Sequence, residues 1–149
     1  MSTRTKILAA VAGLAVLVLV LSRGGEPSAR LQALEADPMA TYVPAGGRLV
    51  ETDSQDEGRS LGKAVSASYT RMFQLPAGTG PPELAQARDA ATAADWRPAG
   101  STDARTFVAR KRLSAGRTEL DVRLFVDSLL LPKGVKPPAL LIRLRDLGP

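Results

Sequence analysis

Residues 106–126 read T-F-V-A-R-K-R-L-S-A-G-R-T-E-L-D-V-R-L-F-V. Apolar and polar residues alternate on both sides of Ser114-Ala115-Gly116-Arg117, the pattern of two half-buried strands joined by a tight turn. With Ala115-Gly116 as the turn, Phe107 faces Leu124 and Ala109 faces Val122, while Arg110 faces Asp121 and Arg112 faces Glu119. These pairings give the hairpin one apolar face and one ladder of ion pairs.

The flanking segments extend this hairpin into a sheet. Residues 127–138 form a Pro- and Lys-containing loop. Residues 139–145 form a final strand with Leu140, Ile142 and Leu144 inward. Upstream, Thr79-Gly80-Pro81-Pro82-Glu83 is a helix start. Thr79 or Gly80 caps it, Pro81 suits the first turn, and Glu83 complements the positive end of the dipole. The helix continues over 84–95, with alanines that permit close approach to a sheet. Trp96 ends it, and Pro98 and Gly100 forbid continuation. As the lone tryptophan, Trp96 reads as a packing anchor.

Earlier still, residues 65–75 and 48–52 read as strands. In the first, Val65, Ala67, Tyr69, Arg71 and Phe73 share a face and Met72 takes the other; the alternation does not say which face is inward. Residues 53–58 read as an acidic turn and 37–47 as a turn-rich connection in which Met39 and Tyr42 pack on the domain. Residues 28–37 read as a short helix capped by Ser28 and stopped by Pro38.

The fold expected is α+β. An N-terminal transmembrane helix precedes a small domain with a four- or five-stranded antiparallel sheet and one helix packed across it, in the order α-β-β-α-β-β-β. The divisions are a cytoplasmic N-terminus at 1–6, a transmembrane signal anchor at 7–22, a membrane-proximal linker with the short helix at 23–47, and the extracytoplasmic domain at 48–149.

The anchor rests on residues 7–21, I-L-A-A-V-A-G-L-A-V-L-V-L-V-L, behind Arg4 and Lys6. Fifteen apolar residues cover about 23 Å of a roughly 30 Å hydrocarbon core, short enough to need local thinning or snorkelling flanks. The alternative is the apolar region of a cleaved signal peptide, which leaves a secreted domain. The candidate cleavage sites are poor: Ser22-Arg23-Gly24 has an arginine at its centre and Pro27-Ser28-Ala29 begins with proline. A pilin-like helix would carry a processing site before it and a glutamate within it, and neither is there. Basic residues ahead of the run orient it with the N-terminus in the cytoplasm and the domain outside.

Net charge is +5, but this does not point to nucleic acid. Of 20 Lys and Arg residues, three (Arg4, Lys6 and Arg23) flank the apolar run, and the rest nearly balance 15 Asp and Glu. Aromatic interleaving for base stacking is missing too, so no nucleic-acid partner is expected. With neither Cys nor His, disulfides, Ser–His or Cys nucleophile pairs and the usual zinc sites are closed. No catalytic residue, cofactor or metal ligand is assigned.

Three local patterns bear on binding. Arg110-Lys111-Arg112, with Arg105 and Arg117 nearby, can contact an anionic surface such as lipid headgroups or wall polymers. The competing expectation is that Arg110 and Arg112 are neutralised across the hairpin. Asp53, Gln55, Glu57 and Gly58 fit the opening positions of a calcium loop, yet Ala64 stands where the bidentate Glu belongs, so a solvated acidic turn is the better reading. Gly78-Thr79-Gly80 precedes a helix, but Pro81 and Pro82 remove two of the N–H donors an anion would use.

The N-terminal anchor, Asp37-Pro38-Met39-Ala40, Tyr42-Val43-Pro44 with Gly46-Gly47, Ala94-Asp95-Trp96 and the Gly116 hairpin together resemble small membrane-anchored extracytoplasmic proteins of actinobacteria. The resemblance implies an envelope location and carries no activity. The functional expectation is a non-enzymatic binding or scaffold module. Its partners are the bilayer, through 7–22, and an envelope protein or anionic polymer. The alternatives are an envelope hydrolase working with carboxylates alone and a module for anionic lipid or wall polymer.

Overall fold

A computed structural model describes residues 26–100 and 102–149. The 7–22 anchor lies outside the described residues, and among those described no helix is long and apolar enough to cross a membrane. In chain order the elements are α1 (Ala29–Glu35), α2 (Pro38–Thr41), β1 (Arg48–Gln55), β2 (Gly58–Ser60), β3 (Lys63–Val65), β4 (Ser68–Gln74), α3 (Pro81–Ala93), β5 (Arg97–Pro98), β6 (Thr106–Leu113), β7 (Gly116–Phe125) and β8 (Ala139–Gly148).

The α+β class and the antiparallel sheet are as expected, but the strand count is not. The main sheet has six strands in the order β1-β4-β8-β7-β6-β5, and β2-β3 form a separate two-stranded hairpin. Strands of two or three residues are too short to show a period of two, so β2 and β5 left no pattern to read, and the strand expected over 65–75 is divided, Val65 ending β3 and Ser68–Gln74 forming β4. Strand β8 inserts between β4 and β7.

The β6–β7 register also differs from the expected one. Leu113 pairs with Gly116, so Ser114-Ala115 forms the two-residue turn. Phe107 therefore faces Val122, Ala109 faces Leu120, Arg110 faces Glu119, and Arg112 faces Arg117. The shift is two residues, so every side chain keeps its face but changes its partner. Gly116 makes this register possible. At φ +149° its missing Cβ would lie 3.0 Å from the Gly148 carbonyl oxygen, so a strand neighbour closes onto bare backbone.

Among the described residues three helical segments cover one face. Ser28 Oγ accepts from Leu31 N–H at the start of α1, whose Leu31 and Leu34 are buried. Pro38 ends α1, as expected, but also opens α2, because a proline fits a first helical turn. Asp37 caps α2 through Met39 N–H at 2.9 Å. In α3 the Glu83 carboxylate accepts from Gly80 N–H at 2.6 Å, and Leu84, Ala87 and Ala91 face inward. That occupied N–H closes the anion-seat reading of 78–80.

These helices pack on Phe73, Phe107, Leu120, Val122, Leu140, Ile142 and Leu144, all essentially solvent-free. Trp96 is the largest buried side chain, and Met39 joins it in the core. Arg71, on the same face as Phe73, donates to the Ala40 and Tyr42 carbonyls at 2.9 and 3.0 Å and lies over the Phe73 ring. The face left open between 65 and 75 is thus settled: Phe73 is inward, and Arg71 satisfies carbonyls at the C-terminal end of α2.

Candidate functional site

Among the described residues the second face of the sheet carries no helix, and its rows can be read straight across the strands. One row runs Gln55–Ser68–Arg145–Glu119–Arg110–Arg97 from β1 to β5. The row on one side of it is Gly148–Arg117–Arg112. On the other side lie Asp53–Thr70–Arg143–Asp121–Val108 and then Glu51–Met72–Leu141–Arg123–Thr106. Over β5 to β8 this face holds seven arginines, at 97, 110, 112, 117, 123, 143 and 145, against the two carboxylates Glu119 and Asp121.

Both carboxylates are already engaged. Glu119 accepts from Arg145 at 2.7 Å on one oxygen and from Arg110 at 3.2 Å on the other. Burial pushes its carboxyl pKa up, but the hydrogen bonds and charges of Arg145 and Arg110 outweigh this and hold it below the ordinary value. Asp121 is chelated by Arg123, at 2.7 Å from Nη2 and 2.9 Å from Nε. The hydrogen bond and charge of Asp121 raise the Arg123 pKa further. Among the described residues, Arg97, Arg112, Arg117 and Arg143 have no carboxylate partner.

Four of the five cations proposed from sequence meet here. Arg110, Lys111, Arg112 and Arg117, with Arg97 and Asp95, line an open cleft of about 610 Å³. Lys111 is spent elsewhere, however. Strand alternation turns it to the helix side, where its ammonium bonds Asp37 Oδ2 at 3.1 Å and the Ala94 carbonyl at 2.7 Å. Arg105 is separate. It lies past the start of β6, about 24 Å along the strand from Arg112, with its N–H on Asp103 and its carbonyl taken by Leu124 N–H.

The expected neutralising ladder is half present. Arg110 has a carboxylate, Glu119 rather than Asp121, whereas Arg112 has lost Glu119 to the register shift and meets Arg117. Arg97, Arg123, Arg143 and Arg145 were not among the expected site residues. For the last two a signal existed: with Leu140, Ile142 and Leu144 inward, Arg143 and Arg145 had to point outward beside Asp121 and Glu119.

No protein-family model, curated protein or solved structure matches this chain. The reading of the site therefore rests on its own chemistry.

Guanidinium groups present fixed forks of N–H donors that suit phosphate and carboxylate oxygens. Three smaller features bound other chemistries. A second open cleft of about 410 Å³ is lined by Glu51, Asp53, Arg123, Arg143 and the loop residues Leu130 and Pro132. Its two carboxylates are exposed on β1, without the burial that tunes a catalytic acid. Asp53 and Gln55 belong to β1, so the acidic turn is confined to residues 56–57. Among the described residues no group of three or more His, Cys, Asp or Glu side chains is placed to hold a metal ion.

Proposed function

We propose that this chain is a membrane-tethered, extracytoplasmic binding module whose arginine-rich sheet face takes an anionic polymer of the cell envelope. Residues 7–22 supply the tether and residues 48–149 the binding domain. The observation that carries the reading is the pairing of like charges. Arg112 stands directly opposite Arg117 with no carboxylate partner for either among the described residues, and Arg97 stands opposite Arg110, whose charge Glu119 already meets. Such pairs destabilise a sheet unless an anion lies between them. Neighbouring strands are about 4.8 Å apart and same-face residues along a strand about 6.7 Å apart. A polymer with a negative group every few ångströms can therefore engage several guanidinium groups at once. No bond-breaking step is assigned to the face.

The test is binding of the full-length protein to long-chain polyphosphate and to polyglutamate by fluorescence anisotropy. Each exposed charge contact contributes up to about 1 kcal/mol. The double variant R112E/R117E should then bind roughly tenfold more weakly at low salt, with the difference shrinking as ionic strength rises. Equal affinity of variant and parent for both polymers would remove the proposal.

A further inference from the structure

The β2–β3 hairpin stands apart from the main sheet. Among the described residues its strands pair only with each other, and residues 58–64 are exposed along their whole length. At its tip Leu61 and Gly62 adopt φ +49° and +79°. This is the left-handed turn geometry that favours Asn-Gly, and a leucine there is strained as well as apolar. Leu61 is also the most exposed large hydrophobic residue among those described. Arg59 and Lys63 flank it, both exposed and, among the described residues, without a carboxylate partner. In water this combination has nothing to recommend it. Against a bilayer surface, an apolar tip between two cations matches both the acyl boundary and the anionic headgroups.

Where the chain enters the domain supports the same occupant. Ser28 N–H donates to Asp56 Oδ2 at 2.8 Å, and Arg30 pairs with Glu57 at 3.3 Å and with Asp146 at 2.7 Å. The start of α1 is thus pinned to the base of the hairpin. Only residues 22–27 separate that point from the apolar run at 7–21, and six residues reach at most about 20 Å. Arg112 and Arg117 lie at the same end of the sheet, beside Gly148. The acids at this end, Asp56, Glu57 and Asp146, are engaged by Ser28 and Arg30.

We infer that the 58–65 hairpin is a lipid-contacting finger. Leu61 enters the interface of an anionic bilayer while Arg59 and Lys63 lie among its phosphates. The contact holds the domain end-on, with the arginine face turned sideways and open. This inference rests on the tether reading but not on the polymer reading.

The absence of cysteine allows a single spin label to be placed by Ser60→Cys, next to an intact Leu61, and a control label by Ser128→Cys in the loop at the opposite end. Both full-length proteins are reconstituted in phosphatidylglycerol–phosphatidylcholine vesicles and in phosphatidylcholine alone. The label at 60 should be several-fold less accessible to a water-soluble relaxation agent in the anionic vesicles, and the label at 128 unchanged. Adding R59E/K63E, or separately Leu61→Asn, should abolish the protection with Trp96 fluorescence unaltered. Equal accessibility at 60 and 128 in a chain that survives alkaline carbonate washing overturns the finger and spares the tether. Release by carbonate overturns both.

Discussion

At the residue scale, Asp37 shows how much one carboxylate can organise. It caps α2 through Met39 N–H, accepts from Trp96 Nε1 at 3.0 Å and pairs with Lys111, with a side chain only 1% exposed. Removing one member of such a network leaves the others buried and unsatisfied. Asp37→Ala should cost about 3 kcal/mol in urea unfolding, whereas Lys111→Met should cost less because Asp37 keeps two donors. Glu119 predicts a pH effect with a definite sign. Its folded pKa lies below the ordinary 4.5, so its stabilising contribution is complete above pH 4.5 and is lost as pH falls through the lowered folded value. Glu119→Gln should flatten the stability profile in that acid range. It should also tighten polyphosphate binding, since Arg110 and Arg145 are then unengaged. At the hairpin tip, Leu61→Asn relieves a left-handed leucine and should raise stability by about 1 kcal/mol, while weakening vesicle contact. A gain in stability paired with loss of binding is the mark of a residue kept for function.

At the element scale, the β6–β7 hairpin was legible as a hairpin but not in its register. Alternation puts Phe107, Ala109, Val122 and Leu124 on the core face, and the structure buries all four, while Lys111, expected among the outward cations, turns inward. Alternation does not count the residues in the turn, and a two-residue slip preserves every face. The observed register brings Gly116 within close reach of the Gly148 backbone, a contact between residues distant in sequence that leaves no room for a Cβ. Gly116→Ala should accordingly destabilise the domain by about 1–2 kcal/mol, read as a lowered denaturation midpoint. The slip bears on the proposed function because it changes Arg112 from a neutralised residue into half of a like-charge pair. Helix α3, by contrast, was readable from its own chemistry: Pro81 in the first turn, Glu83 at the positive end of the dipole, and alanines where the helix meets the sheet, to which the structure adds the Gly80 N–H bond to Glu83.

At the scale of the whole molecule, β8 is the strand on which the sheet depends. It lies between β4 and β7, and its Leu140, Ile142 and Leu144 are fully buried. Deleting residues 139–149 should therefore leave no cooperative unfolding transition, with the Trp96 emission of an unfolded chain at all denaturant concentrations. The antiparallel α+β class, the helix across one face, the inward faces of β6, β7 and β8 and the burial of Trp96 could be read from the sequence because each follows from local periodicity or local capping. The sequence alone also determined the apolar run at 7–21 and the exclusion of histidine and cysteine chemistry, which composition decides outright. Only the tertiary structure decided the strand order, the hairpin register, the pairing of Lys111 with Asp37 and the gathering of seven arginines on one open face. Those depend on which strands become neighbours. That choice is made by long-range packing of the whole core, and no local window of sequence contains it.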